Sequence, residues 1–279
     1  MPHTLTPENE NDPLRAPKGP HLTNLPLESF ATAIREIALL AGEEILAVYE
    51  SDFTVRSKQD RSPVTAADET AEHLILEKLA LLTPTFPVLA EESFAEGVIP
   101  DVSEGPFWAI DPLDGTKEFV SRNGEFTVNI GLIADGFPVA GVVYAPARKH
   151  LYVAAGRGKV TAEIDGAPPQ PIAAKTADPA GLVVIASRSH RDAETDAYLD
   201  TLNITSLTSA DSSLKFCVIA MGEADIYPRF GPTMEWDTAA GHAVLAAAGG
   251  SVKTLDGVDL TYGKSGFCNP KFIAWGCRS

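Results

Sequence analysis

The chain has 279 residues, 44% of them hydrophobic and 22% charged, enough for one large domain or two of ordinary size with a substantial core. Its 38 acidic residues against 22 Lys and Arg give a formal net charge of −16, which argues against nonspecific binding to nucleic acid or to an anionic lipid surface. No apolar run approaches the roughly eighteen residues of a spanning helix, and Cys217, Cys268 and Cys277 are odd in number and widely spaced. A soluble chain with reduced thiols in the cytosol is expected.

Residues 1–24 scatter Pro2, Pro7, Pro13, Pro17 and Pro20 among Asn, Glu and Thr without periodicity and read as a mobile extension. Over 29–50, Ile34, Ile37, Ala38, Ala41, Ile45 and Val48 recur at helical spacing. A polar loop opening at Lys58 leads into a second helix capped by Thr65, which puts Asp68 near the helix start and continues through 71–82. Residues 86–90 form a short buried strand that ends in Glu91-Glu92-Ser93, and 126–132 alternate, with Phe126, Val128, Ile130 and Leu132 on one face and Thr127, Asn129 and Gly131 on the other. Asp135-Gly136 marks a hairpin into 139–144, and strands at 151–155 and 160–164 complete a mainly antiparallel sheet.

After residue 170 the pattern changes to a strand at 182–186, a helix at 192–202, a strand at 204–207, a helical stretch at 214–222 and a strand at 225–227. Asp237 opens an apolar, small-residue helix through Gly249, where the positive end of the dipole favours a carboxylate. This alternation predicts an α/β half packed beside an α+β half. The expected division is an extension over 1–24, an α+β subdomain over 25–170 and an α/β subdomain over 171–279, with a pocket favoured at the interface between the two halves.

The run Trp108-Ala109-Ile110-Asp111-Pro112-Leu113-Asp114-Gly115-Thr116-Lys117-Glu118-Phe119 is the strongest chemical signal. An apolar strand end delivers Asp111 and Asp114 into a Gly-Thr turn, the Leu113 carbonyl offers a neutral oxygen, and Pro112 stiffens the link. All these donors are hard oxygens, which suit Mg²⁺. A lone Asp-x-x-Asp would read as a polar loop, but Glu91, Asp237 and Asp68 stand in order around it. Adjacent residues on a strand point to opposite faces, so Glu92 is expected to support the site from behind, as is Lys58. His242 has metal-ligand spacing from Asp237 but no task beside a hard cation, and Trp108, Trp236 and Trp275 read as core aromatics.

Together these residues resemble the lithium-sensitive, magnesium-dependent phosphatases of the inositol monophosphatase superfamily, and within it the bacterial 3′(2′),5′-bisphosphate nucleotidases of the CysQ type. The resemblance covers residues 26–276 and rests also on Ser187-Arg188-Ser189-His190, Ser212-Ser213-Leu214-Lys215-Phe216 and Tyr227-Pro228-Arg229 through Trp236-Asp237. It implies a layered sugar-phosphatase fold that cleaves adenosine 3′,5′-bisphosphate to AMP and phosphate in sulfur assimilation, with two or three Mg²⁺ per site. Glu91, Asp111 and Leu113 would hold one ion and Asp111, Asp114 and Asp237 another. Thr116, oriented by Asp68, would help to deprotonate the attacking water, with Glu91 or Glu92 assisting through a bound water.

By the same resemblance Gly115, Thr116, Ser189, His190, Asp211, Ser212, Lys215, Arg229 and Asp237 would contact substrate. The partner would be a small nucleotide rather than nucleic acid, a homodimer is compatible, and the location would be cytoplasmic, with peripheral contact at the inner membrane face left open. An inositol or fructose bisphosphate phosphatase would keep the same metal site with a different pocket. A non-catalytic nucleotide or metal sensor would be expected to have lost a ligand, and every ligand position is filled.

Overall fold

The computed structural model of the chain describes residues 25–57, 63–178, 180–187 and 192–277. The expected extension over 1–24, Lys58, Ser189 and His190 lie outside the described residues. The chain begins with α1 (Leu27–Tyr49), a small antiparallel pair β1 (Arg56–Ser57) and β2 (Pro63–Val64), and α2 (Ala66–Leu82). It continues through β3 (Val88–Ala90), α3 (Glu91–Ala95), β4 (Phe107–Asp114), α4 (Thr116–Val120), β5 (Thr127–Ala134), β6 (Phe137–Ala145), β7 (His150–Ala154), β8 (Val160–Glu163) and β9 (Gln170–Pro171). These strands form a seven-stranded sheet in sequential order, antiparallel throughout except for the parallel β3–β4 pair.

The second part comprises β10 (Leu182–Ala186), α5 (Ala193–Leu199), β11 (Ile204–Ser209), α6 (Leu214–Ala220), β12 (Ile226–Arg229), α7 (Ala239–Ala247), β13 (Ser251–Thr254) and β14 (Phe272–Trp275). Its five-stranded sheet has the order β11-β10-β12-β14-β13, with β10 parallel to both neighbours and β14 antiparallel to both of its own. The short strands β13 and β14 were not foreseen, because each is only four residues long and a loop separates them.

Helices α1 and α2 pack on one face of the large sheet, where Ile34, Ile45, Ile75, Trp108 and Ile130 form one apolar cluster. Helices α6 and α7 fill the space between the sheets, and α5 covers the outer face of the smaller sheet through Leu199 against Val184 and Ile226. The layers therefore alternate helix, sheet, helix, sheet, helix, consistent with apolar faces on both sides of each sheet.

The middle helices depend on close backbone approach. A Cβ at Gly131 would stand 2.8 Å from Ala239 Cβ, and one at Gly141 would stand 2.9 Å from Ala243 Cβ. Helix α7 thus lies directly on β5 and β6, and this explains why every residue of β5 is buried, including the polar face expected from the alternation. At the β5–β6 hairpin, Asp135 and Gly136 both have positive φ, at 50° and 77°, as the two-residue turn requires.

Three local expectations change. Glu91 and Glu92 do not end a strand but occupy the first turn of α3. Asp237 lies in a turn before α7, whose first residue is Ala239, and so stands outside the helix. Trp275 is only partly buried, whereas Trp108 and Trp236 are core residues as expected.

Candidate active site

Residues three apart on a regular strand face opposite sides, yet Asp111 and Asp114 both line one cleft. The register explains this. Asp111 pairs with Asn129 and Asp114 with Thr127, so three steps on β4 match two on β5 and the extra residue forms a bulge. Pro112, which has no N–H to donate, sits in that irregularity, and the side chain of Leu113 turns into the core. Gly115 then takes φ 93°, a left-handed conformation that starts α4 and presents Thr116.

A capping box orients Asp68. Its Oδ2 accepts from the Thr65 N–H and hydroxyl, both at 2.8 Å, while the Thr65 hydroxyl accepts from the Ala67 N–H at 3.1 Å. The other oxygen, Oδ1, accepts from the Thr116 hydroxyl at 3.1 Å. With its proton committed to Asp68, the Thr116 oxygen offers lone pairs to the cleft.

Glu72, one helical turn beyond Asp68, accepts from the N–H groups of Glu92 and Ser93 at 2.8 and 2.7 Å and from the Ser93 hydroxyl at 2.6 Å. This fixes the first turn of α3 and therefore the position of Glu91. The four-residue spacing of Asp68 and Glu72, on one helix face, is the sequence signal for this pair. Glu92 is half-buried and its N–H is spent on Glu72.

The cleft holds about 380 Å³, within the range of small-molecule sites. Glu91, Asp111, Leu113, Asp114, Gly115, Thr116 and Asp237 line one side, and Ser212, Lys215 and Arg229 line the other. Burial pushes Asp111 well above the usual carboxylate range, with Glu91, Asp114 and Asp237 adding to the effect. Burial, then Asp114 and Glu91, push Asp237 up to about 8. Asp114 is raised less because Lys215 stands opposite, and burial brings Lys215 down to about 8. The carboxylates carry more negative charge than the surrounding protein balances, and a hard divalent cation fits that imbalance and the all-oxygen donor set.

Among the described residues no three such side chains already converge on one cation position. Asp111 Oδ1 accepts from the Leu113 N–H at 3.0 Å, and Asp237 Oδ2 from the Met234 N–H at 2.8 Å.

On the opposite wall, the Lys215 ammonium donates to the Ser212 carbonyl at 2.6 Å and lies over the Tyr227 ring. Arg229 donates to the Pro232 carbonyl at 2.9 Å, while its Nε and the Ser212 hydroxyl are buried without a hydrogen-bond partner. Both residues line the cleft, and buried polar atoms without a partner are uncommon in folded proteins. Asp211 is buried behind this wall and does not line the cleft.

Sequence reasoning did not single out Ser213, whose hydroxyl is 3.2 Å from Asp114 Oδ2 and 2.9 Å from the Asp237 carbonyl. Nor did it single out Asn129, which donates to Asp114 at 3.3 Å, or Glu118, a buried residue on the cleft. His242 is a buried core residue 3.1 Å from the Tyr262 hydroxyl, and burial lowers its pKa to about 4.

Residues 26–274 match the model of the inositol monophosphatase family. The chain is 49% identical over 240 residues to the 3′(2′),5′-bisphosphate nucleotidases CysQ of Salmonella typhimurium and Escherichia coli K12, covering 85% of this chain and 96% of each relative. Among solved structures it resembles CysQ from Bacteroides thetaiotaomicron, with a TM-score of 0.77 and 38% identity over 92% of this chain and 100% of that one. It also resembles an inositol monophosphatase from Anabaena, with a TM-score of 0.71 and 27% identity over 90% and 92% of the two chains. A match that spans the bulged Asp111–Asp114 segment, the capped Asp68 and the Asp237 turn makes this chain a member of the inositol monophosphatase family.

Proposed function

We propose that the protein is a metal-dependent 3′(2′),5′-bisphosphate nucleotidase that hydrolyses adenosine 3′,5′-bisphosphate to AMP and inorganic phosphate in sulfur assimilation. The observation that carries this reading is the pairing of an acidic wall with an opposite wall bearing Lys215, Arg229 and Ser212, in a chain so similar to CysQ nucleotidases. The acidic wall suits the phosphate to be cleaved once cations are bound, and the basic wall suits the one that is kept.

Glu91, Asp111 and the Leu113 carbonyl would hold one Mg²⁺, and Asp111, Asp114 and Asp237 a second, with Asp111 shared. Bound divalent ions supply acidification of a water and neutralisation of charge on the leaving oxygen. Thr116 accepts a hydrogen bond from the attacking water because its own proton is held by Asp68. Asp68 is fixed for that task by the helix cap, and Glu91, on the same cleft, would share the proton of that water. Ser213 and Asn129 hold Asp114 against the repulsion of its neighbours. Arg229 reads the uncleaved phosphate with a planar fork and Lys215 as a point charge. One water is consumed, the phosphorus–oxygen bond to the ribose 3′ oxygen breaks, and that oxygen leaves with a proton.

Phosphate release measured on adenosine 3′,5′-bisphosphate, AMP, inositol 1-phosphate and fructose 1,6-bisphosphate tests the proposal. The bisphosphate nucleotide is expected to have the highest kcat/KM and AMP to be inert. Preference for inositol 1-phosphate or fructose 1,6-bisphosphate would overturn the nucleotidase reading and leave a sugar phosphatase.

A further inference from the structure

The turn between β11 and α6 is strained and yet tightly held. Ser212 lines the cleft and has φ 53°, a left-handed conformation uncommon outside glycine, and its hydroxyl is buried without a partner. A conformation of this kind persists only where its surroundings impose it. Three anchors do so here. Lys215 donates back to the Ser212 carbonyl, and the Ser213 hydroxyl reaches Asp114 and the Asp237 carbonyl. The third anchor comes from the segment packed behind the Gly115 turn: the N–H of Asp211 donates to Glu125 Oε2 at 3.0 Å.

Glu125 is built for this contact. It is 6% exposed, and it lies in the segment between α4 and β5, 86 residues from the N–H that donates to it. Its Oε1 takes a charge-assisted contact at 2.5 Å from Arg148, which is half-exposed. Its own N–H is held by Asn123 Oδ1 at 2.8 Å. A buried carboxylate fixed at one oxygen by a guanidinium and offering the other to a distant N–H costs desolvation unless both partners are present. The pair ties the large-sheet half of the protein to the turn that presents Ser212 and Lys215.

We propose that Glu125 is a positioning residue for substrate specificity: its carboxylate pins the strained 210–213 turn, and so sets the grip on the part of the nucleotide that is not cleaved. This rests on the nucleotidase reading above. Asp68 and Asp111 are held by contacts that do not pass through this turn, and Asp114 keeps Asn129 beside Ser213, so loss of Glu125 acts more on recognition than on the reacting phosphate.

The test uses the whole protein with saturating Mg²⁺ and three readouts: KM and kcat for adenosine 3′,5′-bisphosphate, inhibition by AMP, and inhibition by inorganic phosphate. Wild-type protein must first hydrolyse the bisphosphate. If it does not, the nucleotidase reading fails irrespective of Glu125. Glu125→Leu is expected to raise KM and the AMP inhibition constant about tenfold, the scale of one buried hydrogen bond, with kcat and the phosphate inhibition constant within about threefold. Glu125→Gln keeps an oxygen for the Asp211 N–H but turns its NH2 toward Arg148, so both constants should fall between those of wild type and Glu125→Leu. Should Glu125→Leu not fold, Arg148→Gln loosens the same carboxylate from a half-exposed position and should produce the same split between AMP and phosphate at smaller amplitude. Equal weakening of AMP and phosphate, a fall in kcat matching the rise in KM, or unchanged constants would each overturn the proposal.

Discussion

Gly131→Ala is the sharpest probe of how the fold places the site. An ideal Cβ at Gly131 would stand 2.8 Å from Ala239 Cβ and 2.9 Å from both the Ala239 carbonyl carbon and the Ala240 nitrogen. Favourable carbon contacts begin near 3.5 Å, so the first turn of α7 must retreat by about 0.7 Å. The obstacle includes main chain, so no side-chain rotation relieves it. Overpacking of this kind costs ~1–3 kcal/mol. Asp237 precedes α7 by two residues and moves with it, while Asp111 and Asp114 remain on β4. Displacements approaching 1 Å can cost catalysis about a hundredfold, so kcat/KM should fall by roughly ten- to a hundredfold.

The comparison is Gly141→Ala, whose Cβ meets Ala243 Cβ at 2.9 Å and the Ala240 backbone at 3.1 Å, further along α7 from Asp237. Urea unfolding should show similar destabilisation of the two variants, while steady-state kinetics with Mg²⁺ titration should show the larger loss in Gly131→Ala. Equal stability losses with wild-type kcat/KM in Gly131→Ala would refute the argument that the seat of α7 positions Asp237.

Three further outcomes are expected. Activity should vanish on chelation, and Asp111→Asn should be more damaging at saturating Mg²⁺ than Asp114→Asn, because Asp111 is the shared ligand in the proposed scheme; near-normal turnover of Asp111→Asn would remove that role. Arg229→Ala should lower kcat/KM for adenosine 3′,5′-bisphosphate by roughly ten- to a hundredfold, the scale of a charge-assisted contact worth ~1.5–3 kcal/mol, with inhibition by inorganic phosphate little changed; equal losses would assign Arg229 to the reacting phosphate or the fold. His242 is held neutral by burial, its pKa lowered from 6.5 to about 4. The unfolded chain therefore binds the extra proton first, and this contribution is complete above pH 6.5 and lost as pH falls toward 4. By pH 5 the loss is about 2 kcal/mol, and urea unfolding should be less acid-sensitive in His242→Gln than in wild type; identical acid sensitivity would contradict the assignment.

The elements legible in the sequence were those whose local pattern and tertiary surroundings agree. Ile34, Ile37, Ala38, Ala41 and Ile45 repeat at helical spacing and are buried in α1, and Thr65 with Asp68 forms the cap that its residue types imply. The Asp135-Gly136 hairpin was legible for the same reason, because the turn chemistry is local. Less legible were features set at a distance. Nothing in the residues around Glu91 distinguishes a strand end from the first turn of α3, because that turn is capped from α2 by Glu72. The start of α7 was misjudged because Asp237 spends its carboxylate on the Met234 N–H, closing a turn before the helix begins.

The site has the same division. Asp-Pro-Leu-Asp identifies the residue types for a cation, but a regular strand would send the two carboxylates to opposite faces. What unites them is a register slip against β5, and a slip is a property of the pair of strands rather than of either one. The matching clue lay on β5, where Thr127 and Asn129 read as an ordinary polar face. In the fold that face is sealed by α7, where the Asn129 amide N–H finds Asp114 while Thr127 Oγ1 and Asn129 Oδ1 are buried without a hydrogen-bond partner. A polar residue on an alternating strand is therefore ambiguous until the covering layer is known. Here the covering layer is the helix that follows Asp237, so the contacts that bury β5 also bring Asp237 to the Asp111–Asp114 bulge.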